Sequence, residues 1–405
     1  LPPSYSLTID RLGGLGDGSG SHEGKTVFVA KSCVGDVLEV DEISAKSDSK
    51  RAVIKRVITG GPDRGKAPCV HYDECGGCTL QHLTPDAYQT FKKAVVTTSA
   101  GYAGFPEALV NFHFLPASSR RRTDMKVHKG KLAYVANKSH ERVAITECLI
   151  LLPELQALIA PINSLLPKYP HITEVSLTRA DSGIDVLLQV TSSEGGLLRY
   201  QDMADALEVA RLSVQFPGGE IKSLAQSDQI LMQIDKHSIP IPANAFLQAS
   251  SEAQKLITEL VVKGVGKVSP VADLFCGIGT YSFALGDRVR VQAIDNNGPM
   301  IDHIRGLAPN VHVDKRDLFL KPLMANELNK YKAVIINPPR MGADAQIKQI
   351  AASDVKKVVM VSCNHSTWSR DAKTLKMAGF KLDTLDAIDQ FVHSPHLELV
   401  SVFSR

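Results

Sequence analysis

The chain has 405 residues, 44% of them hydrophobic and 22% charged, with a formal net charge of +3. That length exceeds one ordinary core and predicts about two to four domains. No apolar run approaches the roughly 18 residues that cross a bilayer, and no basic-then-apolar leader opens the chain. A soluble cytoplasmic protein with no membrane partner is expected, and any nucleic acid must be held by local basic patches.

Residues 4 to about 60 read as short strands. SLTIDRL alternates, GGLGDGSGSHEGK is a glycine-rich turn region, and KTVFVA, GDVLEVDEI and RAVIKRVIT follow as strands. This suits a small OB-like barrel over residues 1–62. Lys50, Arg51, Lys55 and Arg56 on its last strand form either a solvated face or an RNA-facing one. TGGPDRGKAP has linker composition, and PDAYQTFKKAVVTTSAGYAG is helical in pattern.

Three of seven cysteines, Cys69, Cys75 and Cys78, fall within CVHYDECGGC; a more distant Cys148 lies in ITECLIL. An odd, uneven cysteine count with no export signal favours metal binding or catalysis over disulfides. Four thiolates suit either an iron–sulfur cluster or a four-cysteine zinc site. SSRRRTDMKVHKGK brings together Arg120, Arg121, Arg122, Lys126, Lys129 and Lys131, and MKVHKGKLAYVA reads as a hairpin turning at Gly130. Such a hairpin can align cations along a phosphate backbone. Residues 63–245 are therefore expected to form a central α+β, RNA-binding domain.

Over 246–405, the runs VADLFCG, VRVQAID, NVHVDKRD, KAVIINPP and KKVVMVSC alternate with helical segments. That pattern predicts an α/β fold with a doubly wound parallel sheet, its ligands held at the carboxyl ends of the strands. DLFCGIGTYS puts Gly277 and Gly279 at a strand-to-helix turn after Asp273, and Asp295 ends the next strand, where a carboxylate can take ribose hydroxyls. VSCN holds Cys363 at a strand end in a polar setting suited to a nucleophile. Glu398 is a lone acid in an apolar strand pattern.

DLFCGIGTYS resembles the first motif of class I S-adenosylmethionine (SAM) methyltransferases. VSCN with TxxRD, and the terminal HxE, resemble the RNA uracil-5-methyltransferase family. The resemblance implies a SAM site involving Gln248, Asp273, Phe275, Gly277, Gly279, Thr280, Asp295, Asp317 and Asn337. It implies Cys363 as the nucleophile that adds to C6 of a uracil, and Glu398 as the base that removes the C5 proton. The flipped-out uracil must leave its stack to be reached. Cys69, Cys75, Cys78 and Cys148 resemble the family's [4Fe–4S] ligand set, and the N-terminal barrel resembles a TRAM domain. Barrel plus cluster is most similar to the 23S ribosomal RNA branch, with transfer RNA as the alternative substrate and a monomer as the expected state.

The chain departs from the family at three points: Asn337 replaces the usual Asp before Pro338–Pro339–Arg340, His365 follows SCN where Pro is common, and F-x-Q-x-N survives only as Phe246-Leu247-Gln248. NPPR also resembles the motif of amine-methylating enzymes, but those stack the base on an aromatic where this chain has Arg340. Cytosine-5 enzymes need a Pro-Cys that is missing here. A non-catalytic RNA-binding protein with a methyltransferase fold is the remaining alternative.

Overall fold

The computed structural model describes residues 4–45, 49–137, 139–225 and 229–405. Six N-terminal strands, β1 (Ser4–Thr8), β2 (Arg11–Leu12), β3 (Gly18–His22), β4 (Lys25–Val29), β5 (Val37–Ala45) and β6 (Ser49–Thr59), form one sheet ordered β1-β5-β6-β4-β3-β2. Alternation sends Leu7, Val27, Val29, Leu38, Val40 and Ala52 to one buried face. Gly20 lies so close to the Thr8 carbonyl that any Cβ would meet it at 2.0 Å, which brings β3 against β1.

The middle of the chain supplies β7 (Val110–Phe114), β8 (Arg122–His128), β9 (Lys131–Val135), β10 (Arg142–Ala144), β11 (Ile172–Ala180), β12 (Gly183–Val190), β13 (Arg211–Gln215) and β14 (Ile221–Ala225). All but β7 build a seven-stranded sheet. The expected basic hairpin is β8–β9. His128 pairs with Lys131, and both turn residues have positive φ, 49° at Lys129 and 69° at Gly130. That is the two-residue turn whose twist matches the strands. A two-stranded ribbon follows, β15 (Leu231–Ile234) with β16 (His237–Pro240).

The C-terminal sheet contains β17 (Val271–Leu274), β18 (Val291–Asp295), β19 (Val311–Lys315), β20 (Ala333–Ile336), β21 (Lys357–Ser362), β22 (Lys381–Asp389) and β23 (Glu398–Ser404). Its order is β19-β18-β17-β20-β21-β23-β22-β7. The five runs read from sequence pair in parallel, and β23 enters antiparallel between β21 and β22. Strands β17 and β20 are buried throughout, as continuous apolar runs covered on both faces require. The helix Ser251–Val265 covers one face. Ser250 caps it by accepting from the Ala253 amide at 2.9 Å, and Ala253, Ile257, Val261 and Val265 recur on its buried side. Gly264 permits the close approach, because a Cβ there would meet Val402 at 2.7 Å.

The compact units do not follow the three contiguous blocks 1–62, 63–245 and 246–405. One unit comprises the chain through Thr97 with Val135–Val143 and Phe391–His396; the other comprises Thr98–Tyr134, Ala144–Gln390 and Leu397–Arg405. The reasons are long-range hydrogen bonds. Strand β7 pairs in parallel with β22 and so joins the C-terminal sheet. In the first unit the His393 carbonyl accepts from the amides of Thr79 and Leu80 at 2.9 and 3.0 Å, and Lys92 Nζ donates to the His396 carbonyl at 2.6 Å.

Candidate active site

Near the carboxyl edge of the parallel strands, Asp273 is buried one residue before the end of β17. Its Oδ2 accepts from Ser282 at 2.6 Å, while Oδ1 is buried without a hydrogen-bond partner. Burial pushes this carboxyl up to about 7, against the pull of its bonds to Ser282, with Asp295 adding a push of the same sign. The chain then turns through Phe275 at φ 61°, Gly277 at 55° and Gly279 at 77° into the helix Thr280–Gly286. A Cβ at Gly277 would meet nothing within 4 Å, so the turn faces open space. Asp295 holds the turn from β18: Oδ2 accepts from the Gly277 amide at 3.0 Å and Oδ1 from the Asn297 amide at 2.9 Å. Each oxygen keeps a second lone pair for a ligand hydroxyl. Asp317 is first of all a turn residue, its Oδ1 accepting from the amides of Phe319 and Leu320 at 2.9 and 3.1 Å. That turn brings Phe319 to 5.2 Å from the Phe275 ring. The orphaned carboxylate oxygen and the open glycine turn fit a SAM-like ligand.

Cys363 and Glu398 meet through strand register. Ser362 pairs with Leu399 across antiparallel β21 and β23, so the next step sets Cys363 opposite Glu398. Neither residue signals the other in sequence. Burial pushes the Cys363 thiol up to about 11; Glu398 pushes it further and Arg340 pulls it back. Glu398 is 3% exposed, and burial pushes its carboxyl up to about 8 although Gln390 favours the ionised form. Asn364 fixes the loop after the cysteine. Its Oδ1 accepts from Ser366, capping the helix His365–Met377, and its Nδ2 donates to the Arg340 carbonyl at 2.9 Å. His365, in place of the more usual Pro, bonds Ser99 through Nδ1 at 3.0 Å.

Gln248 and Asn337 converge on the same place. Asn337 Nδ2 donates to the Tyr281 hydroxyl at 3.5 Å, a long contact, and Tyr281 is hydrogen-bonded to Gln248. Gln390 Nε2 donates to Gln248 Oε1 at 2.8 Å and to Glu398 Oε2 at 2.7 Å. Sequence reading assigned no site role to Tyr281, Arg340, Phe319 and Gln390. Tyr281 stood in DLFCGIGTYS and Arg340 in NPPR, so both lay within motifs already singled out; Phe319 and Gln390 carry no periodicity that marks them.

The basic segment divides. Lys129 and Lys131 are exposed, Lys126 pairs with Glu174, and Arg120 Nε donates to the Arg122 carbonyl at 2.8 Å. Arg122 pairs with Asp124 at 3.4 Å and lies over the exposed Phe246 ring at 5.6 Å. Arg121 corrects the expectation of an RNA-facing residue. It is 1% exposed and donates to the Gln248 carbonyl at 3.0 Å, to Ser251 Oγ at 3.3 Å and to Gln254 Oε1. The alternation that turns Arg122 outward turns its neighbour inward.

In the first unit Cys69, Cys75 and Cys78 share one loop. Burial pulls the Lys31 amine below its ordinary range, against the charges of Asp73 and of the three thiols, and its Nζ donates to the carbonyls of Tyr72, Asp73 and Cys75. Cys148 belongs to the other unit, where its amide donates to Gln156 Oε1 at 2.6 Å. Among the described residues no three or more His, Cys, Asp or Glu side chains are grouped to hold a metal ion. Four thiols are right in kind as donors for a thiolate-bound cluster.

Residues 310–405 match the family described as tRNA (Uracil-5-)-methyltransferase. Over 98% of its length the chain is 34% identical to an RNA methyltransferase of Caulobacter vibrioides, 99% of which is covered. It is 28% identical to the 23S rRNA (uracil(1939)-C(5))-methyltransferase RlmD of Shewanella denitrificans, covering all of this chain and 96% of that one. The fold is that of the Pyrococcus abyssi tRNA (uracil-54, C5)-methyltransferase solved with S-adenosyl-L-homocysteine, at TM-score 0.77 and 22% identity over 98% of this chain and 100% of that one.

Proposed function

Since the chain belongs to the RNA (uracil-5-)-methyltransferase family, we propose that it methylates C5 of a uridine in 23S ribosomal RNA through a covalent adduct between Cys363 and C6. The observation that carries this reading is the register that sets Cys363 opposite Glu398 beside the glycine turn. C5 of uracil is a weak nucleophile. Addition of the Cys363 thiolate at C6 moves electron density to C5 and makes an enolate. SAM, held by Asp273, Phe275, Gly277, Gly279, Thr280, Asp295 and Asp317, with Gln248 and Asn337 at the edge, supplies an electrophilic methyl group. Glu398 then takes the C5 proton; the C5–H electrons form the C5=C6 bond, the C6–S bond breaks, and the thiolate is restored.

The electrostatics support this division of roles. With Glu398 protonated near neutral pH, the adjacent thiolate meets no carboxylate charge, and Arg340 favours it. Once sulfur is a thioether it carries no charge, so no neighbouring thiolate opposes Glu398 when it acts as base.

Transfer RNA is the second reading, favoured by the description of the matched family model. In the proposal the protein acts as a cytoplasmic monomer, the sheet β1–β6 is a TRAM-type RNA-binding module, and Lys129 and Lys131 contact the RNA backbone. Arg120, Arg122 and Lys126 add to that surface. The cysteines at 69, 75, 78 and 148 hold a structural [4Fe–4S] cluster, a reading supported by the thiol donor set and by Lys31, whose Nζ donates to carbonyls of the three-cysteine loop. Brown anaerobic protein containing iron and sulfide is expected; colourless protein with one zinc overturns the cluster. The function is tested by SAM-dependent tritium release from C5-tritiated uridine in unmodified RNA. Release from ribosomal RNA supports the reading, release from transfer RNA alone changes the substrate, and release from neither overturns uracil-C5 chemistry.

A further inference from the structure

Gln390 follows the last residue of β22, is 3% exposed, and has every polar atom of its side chain engaged. Its Oε1 accepts from the Ala249 amide at 3.1 Å. That bond settles which end of the amide is oxygen, because a backbone N–H cannot bond to an NH₂ group. The two Nε2 hydrogens therefore point the other way, to Gln248 Oε1 at 2.8 Å and Glu398 Oε2 at 2.7 Å. Register supports the placement. Ile388 pairs with Glu398, and Gln390, two residues further along, shares that face.

We propose that Gln390 is a positioning residue: its amide fixes the Glu398 carboxylate for removal of the C5 proton and ties it to the Gln248 segment. The proposal rests on the uridine-C5 reading above. Gln248 is carried on the segment that the buried Arg121 grips through the Gln248 carbonyl. Ordering that segment therefore orders the base, through one rigid amide rather than through a flexible contact. The charged and titratable groups facing Glu398 are Cys363, which follows β21, and Tyr281 from the helix Thr280–Gly286; Arg340 faces Cys363 in turn. Gln390 donates to the carboxylate at 2.7 Å and so favours its ionised form.

The test compares pH profiles of SAM-dependent tritium release by the full-length wild-type protein and by Gln390→Met, which keeps the bulk and loses the donors. The fraction of RNA held in a denaturation-resistant adduct is measured alongside. The acid limb of the Met variant is expected to move up by about one pH unit, the worth of a hydrogen bond to a charged group. The adduct is expected to accumulate several-fold near neutral pH, and release to approach the wild-type rate in alkali. A uniform loss at every pH, with the limb unmoved, overturns the positioning role and leaves the uridine reading intact. No release from the wild type overturns that reading and the positioning role with it. If the Met variant does not fold, Gln390→Glu carries the same test: a second carboxyl beside Glu398 must share a proton with it, so a limb that does not rise overturns the proposal.

Discussion

The carboxyl edge of the C-terminal sheet and strand β6 of the N-terminal sheet handle charge in opposite ways. On β6, Lys50 pairs with Glu42 at 3.0 Å, Arg51 with Asp17 at 3.1 Å, and Lys55 and Arg56 with Glu39 at 2.8 and 3.0 Å. At the carboxyl edge, Asp273 and Glu398 are buried and accept from neutral donors, Ser282 and Gln390. Both carboxyls are pushed up by burial. Paired surface charge contributes little to stability, whereas an isolated buried acid costs stability and gains a proton affinity useful near neutral pH. The contrast identifies the edge as the chemical region more firmly than charge density does, since the N-terminal strand is the richer in charge.

The largest expected effect lies at the edge. Cys363→Ala should lower tritium release by roughly a thousandfold or more while SAM binding, followed by calorimetry, stays intact; a fully active variant removes the covalent mechanism. Glu398→Gln should leave a covalent RNA adduct that survives denaturation, because elimination lacks its base. The same substitution sharpens the comparison through stability. Glu398 keeps its proton in the folded state up to about pH 8 but loses it near its ordinary 4.5 when unfolded. Native stability therefore falls as pH rises between those values and levels off above them. Glu398→Gln should match the wild type near pH 4 and exceed it at pH 8, by an amount on the order of 4 kcal/mol. Denaturant titration at the two pH values checks this, and an unchanged difference breaks the buried-acid account.

Two adjacent arginines carry the contrast into a single strand entry. Arg121→Ala should destabilise by about 2–3 kcal/mol, since buried carbonyl and amide acceptors lose a charged donor. Arg122→Ala should leave the unfolding midpoint near wild type and lower the slope of log affinity against log salt for RNA by about one. Equal unfolding curves for the two variants would contradict the inward and outward assignment. The smallest effect belongs to Lys55→Ala and Arg56→Ala, whose unfolding curves should overlay the wild type; a clear loss of stability there would erase the difference between the regions.

Much of the edge was legible in the sequence. Asp273, the glycine turn, Asp295 and Cys363 all sit at ends of apolar runs, and the topology of a parallel sheet gathers such ends at one side. The central domain was less legible. Strand β7, VNFHF, carries no mark that it will pair with β22, which lies more than 270 residues further on. A strand's partner is chosen by long-range hydrogen bonding, and local alternation says only that a strand exists. Arg121 was misread because three consecutive basic residues suggest a charged surface, although alternate residues of a strand face opposite ways.

The order of residues along the chain thus determined which segments become strands and helices, where the glycine turn lies, and which thiols and acids stand at strand ends. These depend on local backbone preference and on the period of apolar residues. Tertiary structure alone decided that Glu398 faces Cys363, that Gln390 holds Glu398, and that Arg121 is a buried anchor. Those relations depend on cross-strand register and on burial, which are set by the packing of segments distant in the chain and have no local signature.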